Sequence, residues 1–191
     1  FNADTLAGFP GTDPQRGIDM VNATRGTPME AEARQAFALA QATREFGTLP
    51  PRQQEAQLAA AEAAVRAAAA AADVVLVQVH WGAEYKPRPT AAQIALGRKF
   101  VEWGADAVIG HHPHVMEGME LWQGKPIFWS LGNFVFDQDW SRETQRGLTL
   151  GLAIGERGMT AYLFPTVSLK SQPKLVQGEE DRALLAAFAE R

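Results

Sequence analysis

The chain reads as an α/β domain, on three observations. An apolar β-branched run from Val74 to Val79 precedes a capped amphipathic stretch, and a second short apolar run, Asp106 to Gly110, follows it. Strand, helix and strand in that order form a β-α-β unit, whose strands are parallel and whose crossover is right-handed. All four histidines sit directly after the two apolar runs, His80 in V-H-W-G-A-E-Y and His111, His112 and His114 in G-H-H-P-H.

The elements follow in order. Residues 1–27 carry Gly8, Pro10, Gly11, Pro14, Gly17 and Gly26 and read as irregular loop. Thr27-Pro28-Met29-Glu30 has the cap, first-turn proline and following glutamate of a helix start, and Gly47 ends that helix. Pro50-Pro51 opens a second helix to about Ala72, rich in alanine, with Leu58 and Val65 as its large apolar anchors. Residues 28–72 thus form a helical segment, in which Met29, Ala33, Phe37 and Ala40 give the first helix one face to pack on something larger and the second helix reads as a spacer. Val74–Val79 reads as a strand buried on both faces. Thr90-Ala91-Ala92-Gln93 is a capping box; Ala92, Leu96, Phe100 and Trp103 repeat at helical spacing, and Gly104 supplies the stop. Asp106–Gly110 is the second strand. Val115–Trp122 and Pro126–Leu131 flank the turn Gln123-Gly124-Lys125, and Gly147–Ile154 and Met159–Leu169 flank Gly155-Glu156-Arg157-Gly158; both read as hairpins. Asp181–Arg191 closes the chain as a short amphipathic helix.

Composition limits the chemistry. The 191 residues are 46% hydrophobic, enough for one domain with a substantial core, and no linker divides them. A net charge of −4 without runs of like charge argues against a nucleic-acid groove or polybasic membrane patch. There is no cysteine, so any metal must be held by His, Asp, Glu or Asn. No stretch has the length and apolarity of a membrane-spanning helix, and the chain reads as soluble. It begins at Phe1 rather than methionine, which reads as a processed or truncated piece.

Parallel strands joined by one crossover end on the same sheet edge, and open α/β sheets bind ligands there. His80 and the His111–His114 cluster therefore meet at one rim. Alternate residues of an extended segment point the same way, so His112 and His114 present two nitrogens to one site, with Pro113 biasing His112 towards extended backbone. His111 falls to a substrate-facing or supporting role. Glu84 can be a metal ligand, a hydrogen-bond partner orienting His80, or a solvated loop residue; the second is favoured because liganding histidines have such partners. Trp81 and Tyr85 read as pocket wall or core. Asn133, in S-L-G-N-F-V-F-D, either donates to a ligand or bound anion at this rim or is a plain turn asparagine. Asp137 and Asp139 are further carboxylates without a positional argument.

H-W-G-A-E-Y at 80–85, Gln93, G-A-D-A-V-I-G-H-H-P-H-V at 104–115 and S-L-G-N-F-V-F-D at 130–137 resemble the CapA-like poly-γ-glutamate capsule-synthesis proteins of the calcineurin-like metallophosphoesterase superfamily. The resemblance covers roughly residues 73–170 and implies a four-layer α/β sandwich with two divalent ions (Mn, Fe or Zn) at the strand ends. It gives His80 and His112 to one ion and His114 to the other. The superfamily's earlier aspartate and asparagine-histidine motifs are absent before His80. The resemblance therefore makes the chain the C-terminal portion of such a domain, a piece completed by another chain, or a degenerate relative holding one ion or none.

Two functions follow. In the first, a metal-dependent hydrolase acts on a phosphoester or amide, with His80, His112 and His114 holding metal, Glu84 orienting, and His111 and Asn133 contacting an anionic substrate. In the second, a non-catalytic component of a capsule assembly or export machine grips poly-γ-glutamate through protonated histidines. A membrane-bound synthase or export partner and an extracytoplasmic, membrane-associated location are what the resemblance implies for the whole protein. An amidohydrolase barrel, which needs further histidines downstream, is disfavoured because none follows His114.

Overall fold

The computed structural model describes residues 50–155 and 158–189. The expected loop over 1–27 and the helix after Thr27 lie outside them. Contacts divide the chain into two compact units, Phe1–Ala64 and Val65–Arg191. The boundary falls inside helix α1, Pro51–Ala71, whose alanine run continues through it without a break in composition. Pro51 starts that helix, where a missing N–H costs nothing, and the Pro50 carbonyl accepts from Gln53 and Gln54. Of its two large apolar residues Val65 is buried and Leu58 half-buried.

The second unit is mixed α/β. Strand β1 (Leu76–His80), helix α2 (Ala91–Glu102) and strand β2 (Ala107–His111) form the β-α-β unit, with β1 and β2 parallel from Leu76↔Ala107 to His80↔His111. Strands β3 (Met116–Trp122) and β4 (Lys125–Leu131) form a hairpin that joins through β4, parallel to β2, in the order β1-β2-β4-β3. Gln123 and Gly124 both have positive φ, as a two-residue hairpin turn matching the strand twist requires. Short helix α3 (Arg142–Gln145) leads into an antiparallel sheet of β5 (Arg146–Gly155), β6 (Gly158–Leu169) and β7 (Gln172–Leu175), and helix α4 (Glu179–Ala189) follows. Sequence reasoning missed α3 and β7.

Central strand β2 is buried on both faces along Ala107–Gly110. Strand β1 is not, contrary to expectation: Leu76 and Gln78 are exposed, because among the described residues β1 is an edge strand. Alternate residues divide between the sheet's two faces. Trp129 meets Gly97 of α2, whereas Ile109 and Phe128 pack with Leu184 and Phe188 of α4. Thr90 caps α2 with the reciprocal bonds expected of the box, and Gly104, at φ 116, follows its end. Phe100 and Trp103 of the expected stripe are buried and Leu96 is half-buried, but Gln93, Gly97 and Val101 are buried with them. Ala92 is exposed, since the indoles of Trp81 and Trp129 close on Gly97 instead.

A pair of register irregularities in the β3–β4 hairpin positions the site. Met116 pairs with Leu131, Gly118 with Ser130 and Met119 with Phe128, leaving Glu117 and Trp129 without opposite numbers in that ladder. Such bulges re-aim side chains and free backbone groups. Glu117 is turned into the interior onto Gln93 of α2, and the Trp129 carbonyl accepts from the Trp81 indole at 2.9 Å.

Candidate metal centre

The site is built where β1 and β2 end side by side. Trp81 N–H donates to the His111 carbonyl, extending the pairing one residue past His80. The Trp81 indole then crosses Gly110 to reach Trp129. A Cβ at Gly110 would run into the Trp129 carbonyl and the indole nitrogen, so only glycine permits this anchor beside His80. The next turn rests on Gly82, at φ 87, where a Cβ would strike the Gln93 carboxamide. Gln93 is fixed in turn: its Oε1 accepts from Thr90 N and Oγ1, so its Nε2 must donate to Glu117 Oε2, at 2.7 Å.

The second loop departs from expectation. Residues 111–114 are not extended: His112 has φ 102 and His114 φ 59, and Tyr85 opposite has φ 61. Pro113 does not hold His112 in extended backbone, because the Pro113 carbonyl accepts from Tyr85 N at 2.8 Å and ties the two loops together. Left-handed backbone at non-glycine residues costs of order 1–3 kcal/mol each and persists only where surroundings enforce it. Three of the six such residues in the described chain lie here.

That backbone brings the rings together. His80 and His112 have centroids 4.5 Å apart, and His112 and His114 6.0 Å apart. Ligand atoms of Glu84, His112 and His114 all lie within 4.8 Å of one another. Shifts of about an ångström bring that spread to metal bond lengths of about 2.1 Å. Glu84, expected to orient His80, stands instead with His112 and His114. His80 adjoins the three without being one of them. His111 is half-buried at the end of β2, directly paired with His80.

The proton on His114 can be assigned. Asn133 Nδ2 donates to the Thr144 carbonyl at 2.9 Å, which fixes the amide, since a carbonyl can only accept. The same Nδ2 donates to Gln138 Oε1, and Gln138 Nε2 donates to the Tyr85 hydroxyl. Asn133 Oδ1 therefore faces His114 Nδ1, 2.9 Å away, and the ring must donate there. The lone pair is left on His114 Nε2, which is buried and has no hydrogen-bond partner. Fixing a ligand's tautomer from behind in this way is characteristic of metal-binding histidines. Asn133 is thus buried with its amide occupied, behind His114 rather than facing outward. The Tyr85 ring stacks on His114 at 6.0 Å and closes the circuit, so Tyr85 serves the site more closely than wall or core. Nothing local in the sequence marks Gln138, Thr144 or Trp129, whose partners within the site are five to 53 residues away.

Electrostatics disfavour the charged form of two imidazoles here, His80 and His111. Burial first, then the neighbouring His112, His111 and His114, push His80 from 6.5 down to about 3, and burial lowers His111. His80 Nε2 is also buried without a partner. A carboxylate and two imidazoles, with the His114 Nε2 buried and unpartnered, form a donor set that fits a divalent cation of the Zn, Mn or Fe type. Asp137 is exposed, and Asp139 Oδ2 accepts from Lys170 N, so neither joins the group.

A mixed α/β sheet whose parallel strands end in a carboxylate–imidazole cluster defines the class as an α/β protein with a metal-capable rim. Residues 12–138 match the family model of the bacterial capsule synthesis protein PGA_cap, and the chain belongs to that family. It is similar to the PGA biosynthesis protein CapA of Bacillus subtilis, 52% identical over 77 residues, which are 40% of this chain and 20% of that protein. The capsule biosynthesis protein CapA of Bacillus anthracis is 48% identical over 77 residues, 40% of this chain and 19% of its own length. A probable polyglutamine synthesis accessory protein of Mycobacterium tuberculosis is 30% identical over 67 residues, 35% of this chain and 18% of its own. The matched stretch spans about a fifth of the length of these curated relatives. No described helix is long and apolar enough to cross a membrane.

Proposed function

We propose that this chain carries part of a metal-dependent hydrolase site in a capsule-synthesis protein, acting on a phosphoester or amide of an anionic substrate such as poly-γ-glutamate. The supporting observation is the convergence of Glu84, His112 and His114, with the His114 proton held on Nδ1 and its Nε2 lone pair turned inward. Glu84, His112 and His114 would hold one divalent ion, with His80 beside them to complete its shell or serve a second. Such an ion supplies charge that polarises a phosphoryl or carbonyl oxygen and makes water a stronger acid. Glu84 contributes the negative charge that draws a cation in. Asn133 keeps the His114 proton away from the ion, and His111 faces the substrate from the end of β2. On this reading the whole protein is a four-layer α/β sandwich in which residues other than those described supply the ligands of a second ion. It works outside the cytoplasm at the membrane, alongside a synthase or exporter.

The test is hydrolysis of a generic phosphodiester and of a γ-glutamyl amide by the metal-loaded full-length protein, before and after chelation. Turnover of either substrate, abolished by chelator, restored by added Mn²⁺ or Zn²⁺ and lost in His114→Ala, supports the reading; turnover indifferent to chelator, or no turnover with metal bound, refutes it.

The word "accessory" in the name of the mycobacterial relative favours a second reading, a non-catalytic component that binds the polymer. Grip by protonated imidazoles is opposed by the lowered values of His80 and His111. Polymer binding that strengthens on acidification and ignores chelator would favour it.

A further inference from the structure

Beside the metal-capable group stand two large apolar side chains exposed to solvent, Tyr85 at 44% and Trp140 at 66%. They meet edge to face, with centroids 6.1 Å apart, and the other side of Tyr85 lies on His114. A tryptophan so exposed forgoes the favourable burial its surface offers. It is nevertheless held on a heavily bonded loop. Thr144 Oγ1 donates to the Gln138 carbonyl, Thr144 N to Ser141 Oγ, and Gln145 Nε2 to the Asp139 carbonyl, closing the chain around Trp140 from both sides. The aromatic surface is therefore presented in a fixed place, one ring removed from His114. Lys86 and Arg88 flank Tyr85 in sequence and Arg142 flanks Trp140; all three are exposed, and none pairs with a described carboxylate. Of the carboxylates on the Trp140 loop, Asp139 is turned to the Lys170 amide.

We propose that Tyr85 and Trp140 form a substrate-binding subsite for an extended amide-linked polycarboxylate, feeding the metal group. Planar amide units stack on the Trp140 face while side carboxylates meet Lys86, Arg88 and Arg142. Aromatic surface recognises the amide plane and the cations recognise the charge, so the subsite distinguishes a polyamide acid from a simple polyanion. The assignment rests on the metal group being the reacting end; the aromatic lip itself is independent of what is held there.

The experiment titrates the chain with a short γ-linked glutamate oligomer and, separately, with polyacrylate of matched charge, for wild type and Trp140→Ala, with bound metal measured in each sample. Trp140 is mostly solvent-exposed, so its removal leaves the core intact. Loss of one aromatic contact is expected to weaken the glutamate oligomer about five- to tenfold and to leave polyacrylate binding and metal content unchanged. Equal affinity for the oligomer in wild type and Trp140→Ala, or equal weakening of both polymers, overturns the subsite. A chain that binds no metal yet still loses oligomer affinity in Trp140→Ala keeps the subsite and sinks only the hydrolase reading.

Discussion

Replacing Glu117 by glutamine should remove a pH dependence of stability that the wild-type chain carries. Glu117 is fully buried, and among the described residues its only hydrogen bond is the one Oε2 accepts from Gln93, while Oε1 has no partner there. Burial lifts its carboxyl from 4.5 to about 7, against the smaller opposing effect of the Gln93 bond. The folded value lies above the unfolded one, so between these two values the unfolded chain releases a proton that the folded chain keeps. Stability therefore falls as pH rises through that window, and the loss is complete above about 7. A shift from 4.5 to about 7 corresponds to about 3 kcal/mol in all, of which about 2.5 kcal/mol falls between about pH 5 and about pH 8. Glutamine keeps the shape and the acceptor for Gln93 but cannot ionise. It introduces buried N–H groups that cost about 1–3 kcal/mol, equally at every pH. His80, held neutral in the fold, adds an opposite slope on the acid side, but it is common to both proteins and cancels in their difference. Urea unfolding at several pH values measures that difference. The wild type should lose ground to Glu117→Gln by about 2–3 kcal/mol from about pH 5 to about pH 8. Parallel curves would mean that the carboxyl is paired or hydrated at neutral pH, and the account of the bulged strand would be wrong.

Other outcomes follow from the same geometry. Gly110→Ala forces a Cβ into the Trp129 carbonyl and the Trp81 indole, both fixed, and should destabilise the chain by about 3 kcal/mol or more, read as a lowered thermal midpoint. Asn133→Ala removes the group that holds the His114 proton on Nδ1, and calorimetric titration with Zn²⁺ should find affinity about 10–100-fold lower at unchanged stoichiometry. His80→Ala should weaken Zn²⁺ binding less than His112→Ala, because His80 lies outside the group formed by Glu84, His112 and His114; the reverse order would move the ion towards β1.

The features legible in the sequence are those set by near neighbours in the chain. Thr90 and Gln93 are three residues apart and formed the capping box their types predict. Gln123-Gly124 supplies the positive φ angles that a tight hairpin needs, and the two apolar runs paired in parallel with His80 directly opposite His111. Features decided by distant partners were hidden. The rule that a residue before proline is extended failed at His112 because a hydrogen bond from Tyr85, 28 positions before Pro113, outweighs a local preference. The α2 stripe slipped from Ala92 towards Gln93 and Gly97 because Trp81 and Trp129, outside the helix, chose its contact face. The general rule that a liganding histidine has an orienting partner favours Glu84 beside His80, but the fold of its loop delivers it to His112 and His114, the metal-ligand alternative. Asn133 stood out as a residue breaking an apolar run; that it works from behind His114 depends on Thr144 and Gln138, which no spacing rule connects to it.

The most direct test of the metal centre is nitrogen NMR of the imidazole rings in the ¹⁵N-labelled chain, recorded without metal and during titration with Zn²⁺. His114 should begin with its proton on Nδ1, and added zinc should shift its Nε2 resonance together with one nitrogen of His112, saturating near one equivalent. Rings that ignore zinc, or a His114 that carries its proton on Nε2, would contradict the assignment of this cluster as a metal site.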